Sequence, residues 1–235
     1  MAGFKTHLTV STLTGAAYGA AAHFAYEVPL PTCLLAGGLC SVSGMLPDVD
    51  SDSGRPLRES LAFGSAVVPM MLVERLRVLE LSPEMLILCG AAVYLLIRFV
   101  FGEWLRRYTV HRGMFHSIPA AVIFGELAFL LASGDVGMRI YKAGGVTLGY
   151  LSHLMLDEFY SIEWHRGRLR FKQSFGTALK MFSHKWWANG SAYLKLALLT
   201  FLVLNEPTWM DNFYQRHLEE PVEQAAVQVH ERFLR

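Results

Sequence analysis

His111 and His116 stand at i and i+5 in the stretch His111-Arg112-Gly113-Met114-Phe115-His116-Ser117, and three other short stretches carry side chains of the same chemical kind. These are His7, the pair Asp48 and Asp50 in Leu46-Pro47-Asp48-Val49-Asp50, and His153 with Asp157 four residues later. Imidazole nitrogens and carboxylate oxygens are the donor set of a divalent transition metal. The candidates His7, Asp48, Asp50, His111, His116, His153 and Asp157 outnumber the roughly four ligands that one tetrahedral zinc requires, and carboxylates can bridge. The expectation is therefore one or two divalent transition ions, zinc first, with manganese or iron as alternatives. The chemistry such a centre performs is metal-assisted hydrolysis.

Spacing assigns provisional roles. His153 and Asp157, at i and i+4, share one helix face. His111 and His116 do not, which puts His111 in a loop and His116 near a helix start. Asp48 and Asp50, at i and i+2 after a proline, direct both carboxylates the same way if the loop is extended. Whichever of Asp48, Asp50 and Asp157 is not fully engaged as a ligand is the general base, with Asp50 the candidate carried forward. Arg112 is placed to bind an anionic oxygen.

The elements that must position these residues are set by an apolar solvent. Of the 235 residues, 53% are hydrophobic and 17% charged, which predicts an all-α polytopic membrane helix bundle of about seven membrane segments. The expected segments cover about residues 8–26, 30–45, 61–72 (extending as far as 79), 85–101, 117–131, 144–160 and 192–204. Ser117 suits the N-cap of the fifth and Pro119 its first turn. A long polar loop follows Tyr160, ending at Trp186-Trp187, an interfacial anchor toward which Lys195 can snorkel. Residues 1–205 form the membrane-embedded domain, and 206–235 a polar tail in which Val222, Ala225, Ala226, Val229 and Phe233 suggest an amphipathic surface helix. The N-terminal apolar run, interrupted by His7 and lacking a cleavage site, is expected to be retained.

Alternating crossings bring His7, the Asp48 loop, the His116 loop and the Asp157 end of segment six to one side. Most lysines and arginines fall on that side, and only Arg75, Arg77, Arg139, Lys142, Arg216, Arg232 and Arg235 on the other. The positive-inside rule then makes the site cytoplasmic in an inner (plasma) membrane and puts the tail outside. Membrane lipid is the expected environment, and an ester or phosphoester, with lipid as its source, the expected substrate. A net charge of +1 with no concentrated basic face argues against direct nucleic-acid binding.

Other reactive residues have plainer readings. Cys33, Cys40 and Cys89 lie in apolar runs without CxxC spacing and read as core. His23, His217 and His230 read as packing histidines, Glu126 as a bond to a neighbouring helix, and His165 and His184 as loop residues. Two alternative functions use the same residue types: a metal transporter, which needs ligands near the bilayer midplane, and an interaction protein with a structural metal.

An early His, Leu-Pro-Asp-Val-Asp, His-Arg-Gly-Met-Phe-His-Ser and His-Leu-Met-Leu-Asp, in that order over His7 to Tyr160, resemble the membrane-bound metal-dependent hydrolase family, also described as LexA-binding, inner-membrane-associated hydrolases. Phe115 departs from the small hydroxyl residue that often precedes the second histidine in that family. The resemblance implies a hydrolase with no assigned substrate.

Overall fold

Proline, glycine and polar caps divide the chain into helices. The computed structural model describes residues 3–50, 54–103, 115–165, 168–171, 176, 179–183 and 186–207. Helix α1 is Phe4–Tyr26 and stops at Glu27, which adopts a left-handed conformation. Helix α2, Leu30–Ser43, begins after Pro29 and leads into a 3-10 turn, Leu46–Asp50. Helix α3 is Arg55–Leu76, with Pro56 in its first turn, and continues as a 3-10 turn through Leu79. Helix α4, Pro83–Leu95, is capped by Ser82 and runs on as a π-helical stretch, Leu96–Phe101. Helices α5, Ile118–Leu131, and α6, Val136–Phe159, start at the side-chain caps of Ser117 and Asp135. Helix α7 is Trp186–Leu204.

Every expected segment is thus a helix, but several begin earlier than the apolar pattern does. α3 starts at Arg55 rather than residue 61, α6 at Val136 rather than 144, and α7 at Trp186 rather than 192. A hydropathy pattern detects the apolar part of a helix, whereas backbone hydrogen bonding continues through polar turns at its ends. The region expected to be a long polar loop holds an antiparallel hairpin, β1 Ile162–His165 and β2 Arg168–Phe171, with Ile162 opposite Phe171.

Small residues let α1, α2 and α6 meet backbone to backbone. A Cβ on Gly15 of α1 would collide with the carbonyl oxygen of Gly37 on α2, and one on Gly149 of α6 with that of Cys40. Cys33 and Cys40 are buried in this seam, while Cys89 on α4 is only half-buried, contrary to the core position expected of it. The buried face of α6 runs through Arg139, Val146, Gly149, Tyr150, His153 and Asp157, a helical period.

Helices α4 and α7 pack on α3 and α5 but leave most of their surface uncovered by protein. Among the described residues, α4 together with its π-helical continuation (Pro83–Phe101) and α7 are long and apolar enough to cross a membrane, at 19 residues each; α2 and α5 are apolar but shorter, with 14 residues each. α4 buries none of its residues and α7 only Ala192. Such apolar helix faces without protein cover fit a lipid surround. The expected bundle of seven crossings therefore reduces, by length and composition, to two clear ones: α1, α3 and α6 have the length but are diluted by Gly, Thr and charged residues.

At the Arg139 end of α6 lies a buried charge clamp. Arg139 is fully buried, its Nε and Nη2 donate to the Phe129 carbonyl at 3.3 and 3.2 Å, and its guanidinium carbon lies 4.1 Å from the Phe129 ring centre. Its Nη1 reaches Glu206 at 2.8 Å; Arg75 reaches the other oxygen of the same carboxylate at 2.7 Å and donates to the Ala132 carbonyl. Burial opposes ionisation of Glu206, but Arg139 and Arg75 outweigh it and hold the carboxyl at about 2.

Candidate metal centre

At the other end of α6, residues from four elements converge. His7 sits in the second turn of α1, where its neighbours Gly15 and Ser11 share the face packed on α2 and α6. Asp48 is carried by the 3-10 turn after α2, whose backbone closes through Met45 to Val42 and Asp48 to Met45 bonds. The turn is anchored by Val49, which packs on Leu57 and Leu61 of α3. The extended loop expected for this stretch is therefore a turn; it positions Asp48, while the Asp50 side chain lies outside the described residues. His116 immediately precedes Ser117, whose hydroxyl accepts from Ala120 N and caps α5 as expected. Phe115 fixes this entry: its ring joins the Val49, Leu57, Leu61 cluster and its carbonyl accepts from the Tyr150 hydroxyl. His153 and Asp157 stand one turn apart on α6.

The distances are those of a ligand set. His116 Nε2 lies 3.3 Å from Asp48 Oδ1 and 3.8 Å from Asp157 Oδ2; His153 Nε2 lies 3.7 and 3.6 Å from the same two oxygens. His7 Nε2 is 3.3 Å from Asp157 Oδ1, and its ring stacks on His153 at 3.6 Å. Two groups, His7 with Asp48 and His153, and His116 with His153 and Asp157, each bring their ligand atoms within 4.8 Å of one another. Ligands about 2.0–2.2 Å from a tetrahedral ion stand roughly 3.3–3.6 Å apart, so the observed spacing fits.

Electrostatics and hydrogen bonding point the same way. His153 Nδ1 lies 2.7 Å from the Gly44 carbonyl, which can only accept; the proton is therefore on Nδ1, and the Nε2 lone pair faces the carboxylates. The Nε2 atoms of His7, His116 and His153 are all buried without a hydrogen-bond partner. A buried polar group left unsatisfied costs about 1–3 kcal/mol, so three at one point form a donor set suited to a cation. With neutral imidazoles the two carboxylates carry two negative charges, the complement of one divalent ion. With no ion bound, burial alone would raise the Asp48 carboxyl, but His116, His153 and His7 in their protonated form outweigh it and hold it below the usual carboxylate range.

The structure thus brings together His7, Asp48, His116, His153 and Asp157. His111 and Arg112 lie outside the described residues, as do His184, His217, His230 and the side chain of His165. His23 is a packing histidine, its Nδ1 2.9 Å from the Val28 carbonyl, and Glu126 bonds Thr200 of α7 at 2.6 Å, both as expected. The Gly44 carbonyl was not foreseeable, because a backbone acceptor leaves no mark in residue type. Tyr150 had a signal: it lies three residues before His153, on the same helical face.

Comparison with known proteins places the chain in a family. The family described as YdjM inner membrane protein matches residues 1–204, and the chain belongs to it. No curated protein and no solved structure matches.

Proposed function

We propose that this member of the YdjM inner membrane protein family is a membrane-bound, metal-dependent hydrolase acting on an ester or phosphoester at the cytoplasmic face. The observation that carries the reading is the set of three buried imidazole Nε2 atoms, unsatisfied by the chain and aimed at two carboxylates. His7, Asp48 and His153, with His116 and Asp157, would hold the ion or ions. The chemistry a divalent ion would supply there is a lowered pKa of water and an offset to negative charge developing on the attacked group.

The chain's own residues divide the remaining work by exposure. The Asp157 side chain is 3% exposed and lies between His7 and His153, whereas Asp48 is 24% exposed, so water reaches it. In this reading Asp48 takes the proton of the attacking water, the base that residue spacing left open among three aspartates. Asp50, His111 and Arg112 keep their proposed roles: a further base or ligand, a further imidazole ligand, and an anion-binding group. All seven helices cross or enter the bilayer, with α4 and α7 against lipid, and the excess of basic residues on the site's side makes that side cytoplasmic. The cluster lies at one end of the bundle, which favours surface hydrolysis over transport through a midplane site.

The test is elemental analysis of detergent-purified protein, followed by assays against ester and phosphoester substrates with and without the ion. Wild type is expected to carry one or two transition ions per chain and to hydrolyse one substrate class, and His153→Ala and Asp157→Ala to lose both. Wild type that binds no metal after reconstitution would refute the reading, as would activity unchanged in both variants.

A further inference from the structure

Beside the cluster, α1, α2 and α3 flank an open groove of about 590 Å³, within the size range of small-molecule sites. Its wall is apolar, formed by Phe4, Leu8, Met45 and Phe63, and Arg55 and Arg58 also line it. Phe4 stands one turn before His7 on α1, and the Met45 carbonyl accepts from Asp48 N at 3.2 Å. Groove and cluster therefore share their supports.

The charge is uneven. Arg58 is engaged by Glu59, also a lining residue, at 2.9 Å. Arg55 makes no ion pair among the described residues, so the described lining of the groove carries one net positive charge. It is also the first residue of α3, whose N-cap Gly54 offers no side-chain cap, so the positive end of a 22-residue helix lies at the same point. An apolar wall beside a net positive charge on the described lining and the positive end of α3 complements an amphiphile whose polar end is a single anion.

We propose that this groove binds an acidic phospholipid, with its acyl part along Phe4, Leu8, Met45 and Phe63 and its phosphate at Arg55 and Arg58. That such a lipid is then the hydrolase's substrate rests on the functional reading above; its binding does not. Zwitterionic lipids offer the same acyl chain but carry a cation of their own toward the arginines, so the site selects by headgroup charge.

The experiment compares binding of fluorescently tailed phosphatidylglycerol and phosphatidylcholine to the full chain in neutral detergent, at physiological salt and with chelator present. Wild type is expected to prefer phosphatidylglycerol. Arg55→Gln and Arg58→Gln are each expected to weaken it roughly fivefold while leaving phosphatidylcholine unchanged. Arg77→Gln, at the far end of α3 and paired with Glu74, is expected to change nothing, and Ala62→Phe, which narrows the groove without altering charge, to weaken both lipids. A wild type without headgroup preference overturns the proposal, as do arginine variants that bind like wild type. So does competition by soluble glycerol phosphate as effective as that of the lipid, which would mark a phosphate site only. His153→Ala separates the two readings: binding kept in a variant without metal supports the lipid site whatever the hydrolysis assay shows.

Discussion

Helix α6 carries a buried polar cluster at each end, and the two are built on opposite plans. Around Arg139 the chain answers its own charges: carbonyls of Phe129 and Ala132, the Phe129 ring and a carboxylate shared between two guanidiniums. The loose end there is Arg75 Nη2, on a side chain still 27% exposed. Around His153 the chain supplies the donors and leaves them unanswered, with three buried Nε2 atoms lacking a hydrogen bond. Burial of polar groups is common to both ends. What separates a structural clamp from a ligand site is whether the chain completes the bonding.

The contrast can be broken by experiment. The largest effect is expected from Glu206→Gln, which leaves Arg139 buried without its counter-charge and should destabilise the protein by about 3–5 kcal/mol in thermal denaturation, with metal content unchanged. Loss of metal in that variant would show that the two ends are not separate. Next, chelation should lower wild-type stability by about 2.7 kcal/mol if free ion had stood at 100 times its Kd. His153→Ala should melt identically with and without chelator, and a shift persisting in that variant would place the ion elsewhere. Acid sharpens the comparison further. Because the Glu206 carboxyl is held at about 2, below an unfolded value near 4.3, its contribution is whole above about pH 4.3 and lost as pH falls toward 2. The stability difference between wild type and Glu206→Gln should shrink across that window. The smallest effect is expected from Ser117→Ala, about 1 kcal/mol for a lost N-cap, read as a slightly lower melting temperature with metal retained.

Much of the site was legible because its residues stand where apolar runs end. His7, Asp48, His116 and Asp157 occupy such boundaries, and alternating the direction of the expected segments brings those boundaries to one side. The i, i+4 spacing of His153 and Asp157 needed no tertiary knowledge. The clamp was not legible: Arg139 and Glu206 are 67 residues apart, each looked like an ordinary charge near a helix end, and nothing local pairs them. The hairpin did have a local signature in the alternation Ile162, Trp164 and Leu169, Phe171 around Arg166-Gly167, outweighed by the basic residues that made the stretch look like loop. The early start of α3 was signalled by Gly54 and Pro56 and masked by the charges of Arg55, Arg58 and Glu59.

Helix α6 runs unbroken for 24 residues, and that continuity makes it a ruler. A helix advances about 1.5 Å and turns about 100° per residue, so one residue inserted between Arg139 and His153 would push the candidate ligands roughly three times farther than the ~0.5 Å that a binding geometry tolerates. It would also swing them off the shared face. Length changes in this interval are therefore forbidden one residue at a time, and the two ends of α6 are bound to a common register although no side chain among the described residues connects them.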